Sequence, residues 1–69
     1  MDILRGDIFY NKKDNIYLII TDCVYTTEIH YVCMAFDGYK TLHCFIDNYY
    51  LTSSELEDET IYNQVGGIY

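Results

Sequence analysis

Glu28-Ile29-His30-Tyr31-Val32-Cys33-Met34-Ala35-Phe36-Asp37-Gly38-Tyr39-Lys40-Thr41-Leu42-His43-Cys44-Phe45-Ile46 is the stretch that decides the fold. Two runs of strand formers, Glu28 to Phe36 and Tyr39 to Ile46, flank Asp37-Gly38, a two-residue signal for a type I′ hairpin turn. Such a turn fixes register. It sets Phe36 opposite Tyr39, Met34 opposite Thr41, Val32 opposite His43 and His30 opposite Phe45. On the other face Cys33 meets Leu42, Tyr31 meets Cys44 and Ile29 meets Ile46. The second set, with Ala35, reads as a core face. The first set is ring-rich, and is either half covered or a contact surface.

Outward from the hairpin, three more strands are expected. Asp7 to Tyr10 is the first, followed by the polar turn cluster Asn11-Lys12-Lys13-Asp14-Asn15. Ile16 to Cys23 is apolar almost throughout, which predicts a central strand buried on both faces. Thr52-Ser53-Ser54-Glu55-Leu56-Glu57 holds two overlapping capping-box patterns, Thr52 with Glu55 and Ser54 with Glu57, and predicts one helical turn within residues 53–58. Thr60 to Val65 returns to strand character before Gly66-Gly67. The chain, residues 1–69, reads as one all-β domain. Its expected form is a small five-stranded SH3-like barrel or a strongly bent antiparallel sheet, since curling a short meander limits its exposed edges.

Composition narrows the function. Eleven acidic residues against four basic ones give a net charge of −7, which excludes direct binding to nucleic acid. Half of the residues are apolar and 17% are aromatic, which excludes a disordered chain. Ile16 to Ile20, the longest strongly apolar run, is too short to span a bilayer, and no basic region precedes an apolar stretch at the start. The expected place is the cytoplasm.

Candidate chemistry is sparse. Cys23, Cys33 and Cys44 form no C-x-x-C and are odd in number, so they read as small buried hydrophobes. His30 and His43 share the ring-rich hairpin face, but two imidazoles without a third ligand make no zinc site. No nucleophile–base pair or phosphate-cradling glycine loop stands out. The expectation is a non-enzymatic protein with no catalytic, metal or cofactor residues.

Charge is unevenly placed. Residues 1–40 carry six acids and four bases; residues 41–69 carry five acids and no base. Asp47, Glu55, Glu57, Asp58 and Glu59 lie among Tyr49, Tyr50 and Tyr62. Carboxylates steer association with a cationic partner, and tyrosines supply rigid contact area. These eight residues form the first candidate surface, for a protein partner with a basic face. Val32, Met34, Phe36, Tyr39 and Phe45 form the second, for a partner or another copy of the chain.

Two resemblances accompany these readings. Arg5-Gly6-Asp7-Ile8-Phe9-Tyr10 resembles the opening strand of the SH3-like endoribonuclease toxins of toxin–antitoxin pairs. That likeness implies barrel geometry and covers six residues; no Arg-Pro pair follows, and the surface is anionic where RNA would bind. In size, acidity and tyrosine content the whole chain resembles the inhibitors that bacteriophages and mobile elements use against host effectors, the anti-CRISPR proteins and the inhibitors of uracil-DNA glycosylase. What that implies is a DNA mimic: a phage protein inside a bacterial host that occupies a basic nucleic-acid site on an effector. The alternative is an interaction module acting through the aromatic hairpin face, as a homodimer or with another protein. Arg5-Gly6-Asp7 also matches the integrin-binding tripeptide, against a plain reading as a turn glycine leading into a strand.

Overall fold

The computed structural model describes residues 3–38 and 45–67, with the Phe45 side chain excepted. Five strands and one short helix follow one another as β1 (Asp7–Asn11), β2 (Ile16–Tyr25), β3 (Ile29–Phe36), β4 (Phe45–Thr52), α1 (Ser53–Leu56) and β5 (Tyr62–Gly67). All strand pairs are antiparallel, in the order β4-β3-β2-β1-β5 within a single sheet. The apolar run at Ile16–Ile20 accounts for the centre. Leu18 and Ile20 face one side and Ile19 the other, all three buried, so the first half of β2 is covered on both faces; Asp22, Val24 and Tyr25, past the pairing with β1, are exposed.

The turn between β1 and β2 is built by its polar residues. Asn11, itself buried, accepts the N–H groups of Lys13 and Asp14 through its Oδ1 at 2.9 and 3.0 Å. Asn15 closes the turn at φ 57°, a left-handed conformation that Asn tolerates better than most residues. Gly6 enters β1 at φ 95°, where a side chain would clash.

The main core lies on one face of the sheet. Phe9, Leu18, Ile20, Tyr31, Cys33, Ala35, Leu51 and Tyr62 meet there, and Leu56 of α1 closes over them. A helix of four residues cannot support itself in water, so α1 exists because of its cap and this burial. Thr52 Oγ1 accepts the Glu55 N–H, and Glu55 Oε1 accepts the Thr52 N–H at 2.9 Å, a complete capping box. The second expected box is not used; Glu57 accepts from Ser53 Oγ instead. On the opposite face Ile8, Ile19 and Phe36 form a smaller cluster, with Tyr17 and Met34 packed against it.

One expectation is corrected, and of the two forms expected for the sheet the open one is found. The hairpin register differs: Phe36 pairs with Phe45, Met34 with Asn48, Val32 with Tyr50, Cys33 with Tyr49, Tyr31 with Leu51 and His30 with Thr52. This register places Leu51 in the core beside Tyr31, which a two-residue turn would not do. Ile46, expected in the core, is 47% exposed where the β3–β4 pairing shifts. The strand expected over residues 39–44 lies outside the described residues. The sheet is also open, because β4 and β5 are its two edges and do not pair among the described residues. All-β architecture, five antiparallel strands and a helical turn before the last strand describe the chain; a closed barrel does not.

Candidate protein-binding surface

The first candidate set divides across three environments. Tyr50 points away from the core and is 71% exposed. Tyr49, one residue earlier, falls on the opposite face, where it is half-buried against the core cluster. Tyr62 is a core residue and not a surface anchor. Burial, followed by the charges of Glu55 and Asp14 among others, raises its hydroxyl above the usual tyrosine range. Alternation along a strand accounts for the split between Tyr49 and Tyr50.

The five acids are all exposed. Asp47 sits on β4, and the other four follow on α1 and the turn after it. Several have a local structural task as well. Glu55 completes the helix cap. Asp58 Oδ1 accepts both the N–H and the hydroxyl of Thr60, at 3.0 and 2.6 Å. These two bonds, with Lys12 in the field, hold its carboxyl below the usual range and keep it ionised. Lys12 Nζ donates to the Glu59 carbonyl at 2.6 Å, fastening this turn to the β1–β2 turn.

The second candidate set is reorganised by the observed register. Phe36 is buried with Ile8 and Ile19, so it is not available as an exposed contact. Val32 and Met34 remain half-buried on the outer face. Tyr39 and the Phe45 side chain lie outside the described residues, as does His43, so the expected His30–His43 pair is not described. Val32 instead stands beside Tyr50 on one side and Asp22 on the other. Directly opposed residues of this kind lie about 5 Å apart at Cβ. The structure therefore joins one residue of each set, Tyr50 and Val32, on one face. Exposed Val24, opposite His30, extends it. Val24 and Asp22 were not singled out from the sequence; the lengths of β2 and β3 beyond β1 are the signal that would find them.

Other sites offer little chemistry. Asp7 N–H donates to the Leu4 carbonyl at 3.0 Å, and Asp7 Oδ2 accepts the Leu4 N–H at 2.8 Å. The aspartate is 1% exposed, so Arg5-Gly6-Asp7 is a turn into β1 and not a displayed tripeptide. Burial pushes the Cys33 thiol up to about 12, so it is no nucleophile at neutral pH. A depression of about 350 Å³ is lined by Arg5, Gly6, Ile19, Ile20 and Thr21, none of them a general base or a metal ligand. Among the described residues no three His, Cys, Asp or Glu side chains stand together as a metal site. No helix there is long and apolar enough to cross a membrane.

The fold and surface thus define a five-stranded, all-β sheet, open among the described residues, with exposed acids on β4, α1 and the turn after it. Comparison with protein-family models, with characterised proteins and with solved structures finds no match to this chain.

Proposed function

We propose that this is a non-enzymatic binding protein that occupies a basic, nucleic-acid-binding site on another protein and so inhibits it. One observation carries the reading. Glu55, Glu57, Asp58 and Glu59 are exposed on α1 and the turn after it, and Asp47 is exposed near the start of β4, in a stretch that contains no basic residue. Caps and turns hold two of these carboxylates in place, so ordering them on binding costs little entropy. Tyr50 adds an exposed ring on β4.

The test uses the full chain immobilised against lysate of its native host, at about 50 and about 200 mM salt, the range over which phosphate-like contacts lose most affinity. The expected result is a nucleic-acid-binding effector retained at low salt, released at high salt and displaced by DNA or RNA. An effector bound equally at both salts, or one that keeps its nucleic acid while bound, contradicts the proposal.

The adjacency of Val32 and Tyr50 favours a second reading, an apolar contact through the outer face of β2–β4. Val32→Lys would abolish that contact, while Glu57→Gln with Glu59→Gln would leave it intact.

A further inference from the structure

Among the described residues β4 is an edge strand, and its outer rim is the feature that the acidic surface alone does not explain. Asn48 N–H donates to Asp47 Oδ1 at 2.8 Å, and Thr52 N–H donates to Glu55 Oε1 at 2.9 Å. Both amides therefore point away from β3. Alternation puts the main-chain groups of Tyr50, between them, on the same outer side, while Ile46 lies where the pairing with β3 shifts. Natural sheets blunt such edges with Lys or Pro. β4, Phe45-Ile46-Asp47-Asn48-Tyr49-Tyr50-Leu51-Thr52, has neither, and its edge carries only the charge of Asp47 and the pairing shift at Ile46. Ile46 and Tyr50 of β4 are exposed apolar residues.

The chain contains a precedent for what fits there. On the part of β2 that runs past β1, Cys23 N–H donates to Asp22 Oδ1 at 2.8 Å. The same oxygen takes the Arg5 guanidinium at 3.4 Å. One aspartate thus covers an edge amide and seats a cation together. Asp47 repeats the first half of this arrangement, and among the described residues no cation supplies the second half.

We infer that the outer edge of β4 receives an extended cationic segment of the partner, added as a further strand with a Lys or Arg seated on Asp47. This rests on the proposed binding to a basic partner and specifies how that partner is held. The outward carbonyls of β4 and the Tyr50 N–H would supply main-chain hydrogen bonds, the Asn48 and Thr52 N–H groups being held by Asp47 and Glu55, and Asp47 with the α1 acids would select positive charge. A second copy of the chain is disfavoured as the added strand, since it would bring Asp47 and its own acids against the same rim.

The test uses the full 15N-labelled chain and a synthetic probe of about eight residues, matched to β4, alternating Arg with Val and Thr. A twin of the probe carries N-methyl groups on alternate residues, which keeps its charge and side chains but removes its edge donors. The expected result is amide shifts centred on residues 46–50 and binding of the twin weaker by about tenfold or more. Asp47→Asn, an exposed change that leaves the core untouched, should weaken the plain probe about threefold to fivefold. Equal binding of the two probes overturns the added strand while leaving an electrostatic acidic surface standing. Shifts confined to residues 57–59 do the same. No binding of either probe at low salt overturns the strand and counts against the basic-partner reading as well.

Discussion

Replacing Leu56 by Ala tests whether α1 is part of the core or an ornament on it. The Leu56 side chain is 1% exposed, from a helix of only four residues, and packs into a cluster that draws on every strand. Leu→Ala substitutions in cores cost about 2–5 kcal/mol. A chain of 69 residues has a total stability of about 3.5–10 kcal/mol at the usual contribution per residue. One side chain thus carries from about a fifth of the margin to more than the whole of it. At about 4–8 °C per kcal/mol for a domain of this size, the melting temperature should fall by at least about 8 °C. Far-UV circular dichroism with thermal and urea denaturation reads this directly. Thr52→Ala, which removes the acceptor for Glu55 N–H, should cost about 1 kcal/mol. Both changes act through the same turn of helix, so the double variant should lose less than the sum of the two. A Leu56→Ala loss below about 1 kcal/mol would refute the claim that α1 closes the core.

Three further outcomes are expected. Gly6→Ala should destabilise by about 1–2 kcal/mol, because φ 95° forces a Cβ against the backbone, and denaturation by urea measures it. Cys33 should resist alkylation in the folded chain at pH 8 and react on unfolding; its thiol is raised from about 9 to about 12, so stability should fall as pH rises from about 9 towards 12, where only the unfolded thiol ionises. Asp58 should titrate below its ordinary value of 3.8 in an NMR pH series and move part of the way back in Thr60→Val, which removes the hydroxyl donor and keeps the backbone N–H. Since its folded value is the lower one, what it contributes is present above 3.8 and is lost as pH falls through the folded value.

Local chemistry made much of this fold readable. β1, the Asn11–Asn15 turn, central β2 and the Thr52–Glu55 cap follow from residues that act within a few positions of one another. The hairpin register was not readable, for a physical reason. Asp37-Gly38 is a strong short-range signal, but two segments, 39–46 and 45–52, compete for the same edge of β3. The farther one places Leu51 opposite Tyr31 in the core and ends on Thr52, where α1 needs its cap. That gain is tertiary and leaves no mark on the turn. The same slip decided the candidate site. It turned Tyr50 outward beside Val32 and Tyr49 inward, while Phe36 was covered by Ile8 and Ile19 across the sheet. The shifts of register at Thr21 and between Ile8 and Phe9 are likewise properties of paired strands and not of either strand alone. The acidic surface was legible as charge. Its division into caps and free carboxylates was not, because Glu55 and Asp58 look like Glu57 and Glu59 until their partners are placed.

The salt dependence of affinity for the retained effector tests the central claim most directly, compared between the native chain and a variant carrying Asp47→Asn, Glu57→Gln and Glu59→Gln. Glu55 and Asp58 stay in place because they hold the helix cap and the turn that follows it. The acidic-surface account predicts affinity that falls steeply with salt in the native chain, and a weaker, flatter dependence in the variant. Equal affinity and equal slope in the two proteins would contradict it.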